Sequence, residues 1–187
     1  MRAFALSAMG ALALLAIGSA IPTAASSISI PRSYVCTNAP SRVAGTAFDP
    51  RDLVPYKLRQ SRGNPARTYW CAPNSETYVV FQSIITVAGP TIPSMLLNVF
   101  NQLSRRIQER GDGVVENGVY KWGPSRSGAL VASFMNANNH QLTYGVVYSA
   151  VAAVRDYMVR EGDYGLLSFD IWDGDNQVGT GVLGYKP

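Results

Sequence analysis

The sequence is short of the side chains that catalytic and metal chemistry most often use. It holds one histidine, His140, and two cysteines, Cys36 and Cys71. A structural zinc centre needs four ligands drawn largely from these residues, so no metal site is expected. No cofactor is expected either. Charged residues make up only 15% of the chain against 47% hydrophobic, a balance that excludes a disordered protein and fits a packed core. No N-x-S/T sequon occurs, so N-glycosylation is not expected. No apolar run approaches the roughly 20 residues that a membrane-spanning helix requires.

The longest apolar stretch, Ala8–Ile17, follows Arg2 and leads into Gly18-Ser19-Ala20 and Thr23-Ala24-Ala25. A basic start, a short apolar segment and a small-residue exit describe a secretory signal peptide, here residues 1–25 with cleavage after Ala20 or Ala25. The expected location is extracellular, with no membrane attachment after cleavage. In that oxidising setting Cys36 and Cys71 are expected to form one disulfide.

Two regions follow. Residues 26–75 carry six prolines and little periodicity, apart from a short strand pattern at Ser27–Ile30. Their seven basic residues (Arg32, Arg42, Arg51, Lys57, Arg59, Arg62 and Arg67) face only Asp49 and Asp52. This basic, disulfide-tied arm is open to two readings: a surface for a polyanion, or a solvated segment wrapping the core. The arginines are dispersed, which favours wrapping, so nucleic acid is not the expected partner.

Residues 76–187 contain an internal repeat. Tyr78–Val87 reads as a strand and Thr91-Ile92-Pro93 as a helix start, followed by an apolar stripe at Leu96, Val99, Phe100, Leu103 and Ile107 and a stop at Gly111. A shift of 51 residues maps that stripe onto Val147, Ala150, Val151, Val154 and Met158, the stop onto Gly162, and the strand onto Ala129–Met135. Asn138, Asn139 and Thr143 offer caps for the second helix. Asn117-Gly118 gives a turn signal between Val114-Val115 and Val119–Trp122. The expected fold is an α+β two-layer sandwich, ferredoxin-like βαββαβ, with an extra C-terminal strand completing a β-hairpin. The alternatives are a duplicated βαββ unit or a sheet extended by the Ser27–Ile30 strand.

Asp173–Gly184, DGDNQVGTGVLG, holds the loudest motif. Its G-x-G-x-x-G cannot bind a dinucleotide, because only three residues follow Gly184 and no helix can open there. A calcium loop fails too, since its sixth and twelfth places hold Val178 and Gly184. A hairpin turning at Gly174-Asp175 pairs Ile171 with Val178 and Phe169 with Thr180. Leu167, Phe169, Ile171, Val178, Thr180 and Val182 then form its buried face. Gly179 and Gly181 fall on the outer face beside Asp170 and Trp172, a shallow slot that is a candidate binding site unless the arm covers it. His140 is the one candidate general base, provided the fold brings Asp170 or Asp173 near it. Tyr144, Tyr148 and Tyr157 lie on the second helix, the first two on its buried side.

The stretches Asn138–Gly145, Phe169–Gly174 and Asn176–Gly181 resemble a block found in small secreted proteins of filamentous fungi. The resemblance covers about a quarter of the chain and carries no catalytic motif. It implies a candidate effector acting on a plant host and assigns no site residue. Together these readings point to a secreted, non-catalytic binding protein whose partner is an extracellular protein or glycan. A small hydrolase using His140 and a polyanion binder using the arm are the alternatives.

Overall fold

Residues 34–55, 68–86 and 91–186 are described by a computed structural model. The expected signal peptide, the Ser27–Ile30 strand, and Arg32, Lys57, Arg59, Arg62 and Arg67 lie outside those residues. Two short strands, β1 (Val35–Cys36) and β2 (Ala39–Val43), precede the main sheet. Then come β3 (Tyr69–Cys71), β4 (Thr77–Thr86), helix α1 (Thr91–Arg110), β5 (Val119–Trp122), β6 (Leu130–Asn136), helix α2 (Tyr144–Glu161), β7 (Gly165–Asp173) and β8 (Asn176–Tyr185).

The repeat survives folding. Helix α1 ends at Arg110 before Gly111, and α2 ends at Glu161 before Gly162; both glycines take left-handed φ, 76° and 66°. The stripe of α2 is fully buried. That of α1 buries Leu96, Val99 and Leu103, with Phe100 and Ile107 partly covered. Thr143 is the α2 cap, its hydroxyl accepting from the Val146 amide at 3.2 Å. Asn138 and Asn139, at φ 51° and 61°, instead form a tight turn closed by His140 N–H to Ala137 O at 2.9 Å.

Six strands form one antiparallel sheet in the order β3-β4-β7-β8-β6-β5. Both helices bury their stripes on one face of it, as an α+β sandwich requires. The strand order departs from the split βαβ expectation, which leaves a single strand between β4 and β5. Three stand there, because the β7–β8 hairpin inserts at the centre. In strand order and direction, an approximate twofold between β7 and β8 exchanges β3-β4-α1 with β5-β6-α2. The physical reason is the third hairpin. Its Leu167, Phe169, Ile171 and Leu183 are among the most buried apolar side chains, and the sheet centre is where such a strand pair is covered best. No hairpin forms about Asn117-Gly118; Val115 N–H donates to Leu142 O at 2.8 Å instead.

The arm supplies structure as well as cover. β3 lies within it and pairs with β4, so the expected boundary at residue 75 falls between two paired strands. Cys36 and Cys71 are bonded, with Cα atoms 5.6 Å apart. Buried Asn38 donates to Cys71 O at 2.9 Å and accepts from Cys71 N–H at 3.1 Å. Asp156 on α2 accepts from the Trp70 indole at 2.9 Å and from Arg160 Nε at 2.6 Å. Arg160 also donates to Val54 O in the arm. The two described arm arginines have acidic neighbours: Arg42 lies 2.8 Å from Asp52, and Arg51 is a looser 3.9 Å from Asp49.

Candidate functional site: a polar groove between the helices

The C-terminal hairpin turns at Gly174, whose φ of 56° is the only left-handed value in the turn, as a glycine-first turn requires. Asp173 faces Asn176 and Trp172 faces Gln177, as expected. Beyond that a bulge at Val178 shifts the register by one: Ile171 faces Gly179, Phe169 faces Gly181, and Leu167 faces Leu183. A one-residue slip exchanges the faces of a strand. Gly179 and Gly181 therefore point into the core, and Thr180 and Val182 point outward.

The expected slot of Gly179 and Gly181 beside Trp172 and Asp170 is thus not formed. A Cβ on Gly181 would lie 2.2 Å from Phe169 Cζ, and one on Gly179 would lie 2.8 Å from both Leu142 methyls. The glycines clear space for a buried ring and a buried leucine. Trp172 lies on the opposite face, half-buried and stacked on Tyr78 with ring centroids 5.9 Å apart. It packs on a cluster that includes Cys36, Ala39 and Phe48 of the arm, so the arm covers it. Asp170 accepts from Gln82 Nε2, and Asp173 Oδ1 accepts from Thr77 Oγ1 at 2.9 Å. His140 is exposed on its turn, and no described hydrogen bond or ion pair joins its ring to either aspartate.

A different site emerges at the end of the sheet where β4 begins and β7 ends. An open groove of about 520 Å³ runs between α1 and α2 there. Asn74, Ser75 and Thr77 enter it from the approach to β4; Ser104, Ile107 and Gln108 from α1; Gly145, Val146, Tyr148 and Ser149 from α2. Asp112 and Asp173 complete the lining.

Local chemistry fixes both carboxylates. Asp112 sits on the first turn of α2, its Oδ1 accepting from Gly145 N–H at 2.8 Å and its Oδ2 from Thr143 Oγ1 at 3.0 Å. It thus supplies the anion that a helix N-terminus favours. Glycine at 145 leaves room for this carboxylate, since a Cβ there would come 2.5 Å from Asp112 Oδ2 and force it to shift. Thr77 is buried, accepts from Ser75 Oγ at 2.9 Å and donates its own hydroxyl hydrogen bond to Asp173. The ring of Tyr148 stacks on Phe100 at 4.3 Å, which settles its orientation in the wall.

No protein-family model, curated protein or solved structure matches the chain. A carboxylate can accept about four hydrogen bonds. Asp112 uses two of those positions and Asp173 one, so both retain acceptor capacity toward the groove. Among the described residues, the lining includes no lysine, arginine or histidine. Among the described residues no cluster of three His, Cys, Asp or Glu could hold a metal ion, and no helix is long and apolar enough to cross a membrane. Sequence reading missed this groove because its polar residues are scattered from 74 to 173, and none forms a motif with its chain neighbours.

Proposed function

We propose that the protein is secreted and binds a neutral, polyhydroxylated ligand, a glycan segment, in this groove without acting on it chemically. Sugar hydroxyls both donate and accept, and the lining matches them with carboxylates, hydroxyls, side-chain amides and one aromatic ring. The observation that carries the reading is the pair Asp112 and Asp173, fixed by protein donors, with acceptor positions left over and no cation among the described lining residues. Such a lining repels acidic polymers and favours neutral ones. The disulfide and the apolar leader support a place outside the cell. The resemblance to small secreted fungal proteins adds a host or cell-wall glycan as the ligand class.

The test is a glycan array probed with the mature protein and with Gln108→Trp, which places an indole in the groove from an exposed helix position. Retention of neutral oligosaccharides by the parent, lost in the variant, supports the reading. Retention of acidic glycans alone, or equal retention by both proteins, refutes it.

A further inference from the structure

We infer that a second, smaller cavity between α1 and β5 binds an oxyanion, the carboxylate or phosphate group of a small ligand. It measures about 280 Å³ and lies on a different face of α1 from the groove, lined by Arg105, Arg106, Glu109 and Arg110 of the helix and Tyr120 of the strand. Among the described residues, two polar atoms of this lining, Arg106 Nε and the Tyr120 hydroxyl, are buried with no hydrogen-bond partner. Buried donors left unmade are costly, and both of these groups donate.

The donors are held in place by other contacts. The Arg106 guanidinium lies 3.9 Å from the centroid of the Tyr144 ring, and its terminal nitrogen reaches Glu116 at 3.3 Å. Those contacts occupy one ring face and one nitrogen, and they leave Nε–H unused. Burial, with the neighbouring Tyr144 phenol, pushes the Tyr120 pKa up to about 12, so the hydroxyl carries its proton at neutral pH and can donate. Arg105 and Arg110 are exposed and add positive charge; Glu109 is the only acidic group in the lining. Both orphan donors belong to residues of this lining, and Arg105, Arg106 and Arg110 against Glu109 and the neighbouring Glu116 leave an excess of cationic charge that selects an anion.

The experiment is a titration of the isotopically labelled protein with sodium phosphate and, separately, sodium acetate at constant ionic strength, followed through backbone amide and arginine Nε–H signals. Saturable shifts centred on Arg106 and Tyr120 with either salt support the site, and the tighter salt identifies the preferred group. Tyr120→Phe removes one oxygen and leaves the ring packing, so it should fold and should weaken binding about tenfold, the loss expected for a hydrogen bond to a charged acceptor. Arg106→Lys keeps the charge but removes Nε–H and should weaken it similarly. Linear shifts without saturation, shifts reproduced by sodium chloride, saturation centred elsewhere, or unchanged affinity in a folded Tyr120→Phe protein would each overturn the proposal.

Discussion

Adding one methyl group at Gly181 tests the register of the central hairpin. In the structure, β7 and β6 flank Gly181 with Phe169 and Phe134, whose rings meet edge-on at 6.2 Å. An alanine Cβ would lie 2.2, 2.4 and 2.8 Å from three atoms of the Phe169 ring. That ring also contacts Phe81 at a centroid distance of 6.4 Å and is almost wholly buried, so it has little room to withdraw. Gly181 has no left-handed φ, so the substitution adds no backbone strain and the cost is steric. Overpacking a dense core typically costs about 1–3 kcal/mol, and contacts this short place Gly181→Ala near the top of that range. For a unit of this size that corresponds to a melting temperature lower by roughly 6–12 °C. The assay is thermal and urea unfolding of Gly181→Ala, Phe169→Leu and the double variant. The double variant should recover about 1 kcal/mol relative to additivity, since the two side chains share one space. Gly184→Ala is the control, because its Cβ would meet only Val182 at 3.7 Å. A change below about 0.5 kcal/mol at Gly181, the range of ordinary surface substitutions, would refute the register and restore an outward-facing glycine.

Replacing both Cys36 and Cys71 by serine opens a loop with a sequence separation of 35 and should cost roughly 3–4 kcal/mol in chemical denaturation. Asn38→Ala strips the Cys71 amide and carbonyl of their partner and should cost about 1–3 kcal/mol, with the arm more open to proteolysis. Burial raises Tyr78 and Tyr120 from 10.0 to about 12, so an ultraviolet titration should show two late-ionising phenols. Between those values the unfolded chain binds fewer protons than the native one, so stability falls as pH rises above 10. Unfolding midpoints that stay flat to pH 12 would contradict those two environments.

What was legible in the sequence is what periodicity and single-residue chemistry encode. The 51-residue shift carries both helices because each presents one stripe and ends at a left-handed glycine. The hairpin turn is legible because Gly174 alone must take positive φ. Strand order was not legible, since the local pattern of a strand does not say which hairpin takes the centre of the sheet. The bulge at Val178 was hidden for a related reason. Val178, Thr180 and Val182 alternate as well as Leu183 does with the glycines, and only Phe169 and Leu142, distant in sequence, decide between the registers. That single shift moved Gly179 and Gly181 from a candidate site into the core. The groove was out of reach for the same cause: Asp112 and Asp173 are 61 positions apart and meet through a helix cap and a strand end.

The polar groove is the centre of the functional account, and calorimetry with neutral oligosaccharides retained on an array measures it most directly. The parent protein should give heat of binding, and Gln108→Trp should lose at least tenfold in affinity, about 1.4 kcal/mol, with its unfolding unchanged. Equal affinity in the two proteins would place the ligand elsewhere and contradict it.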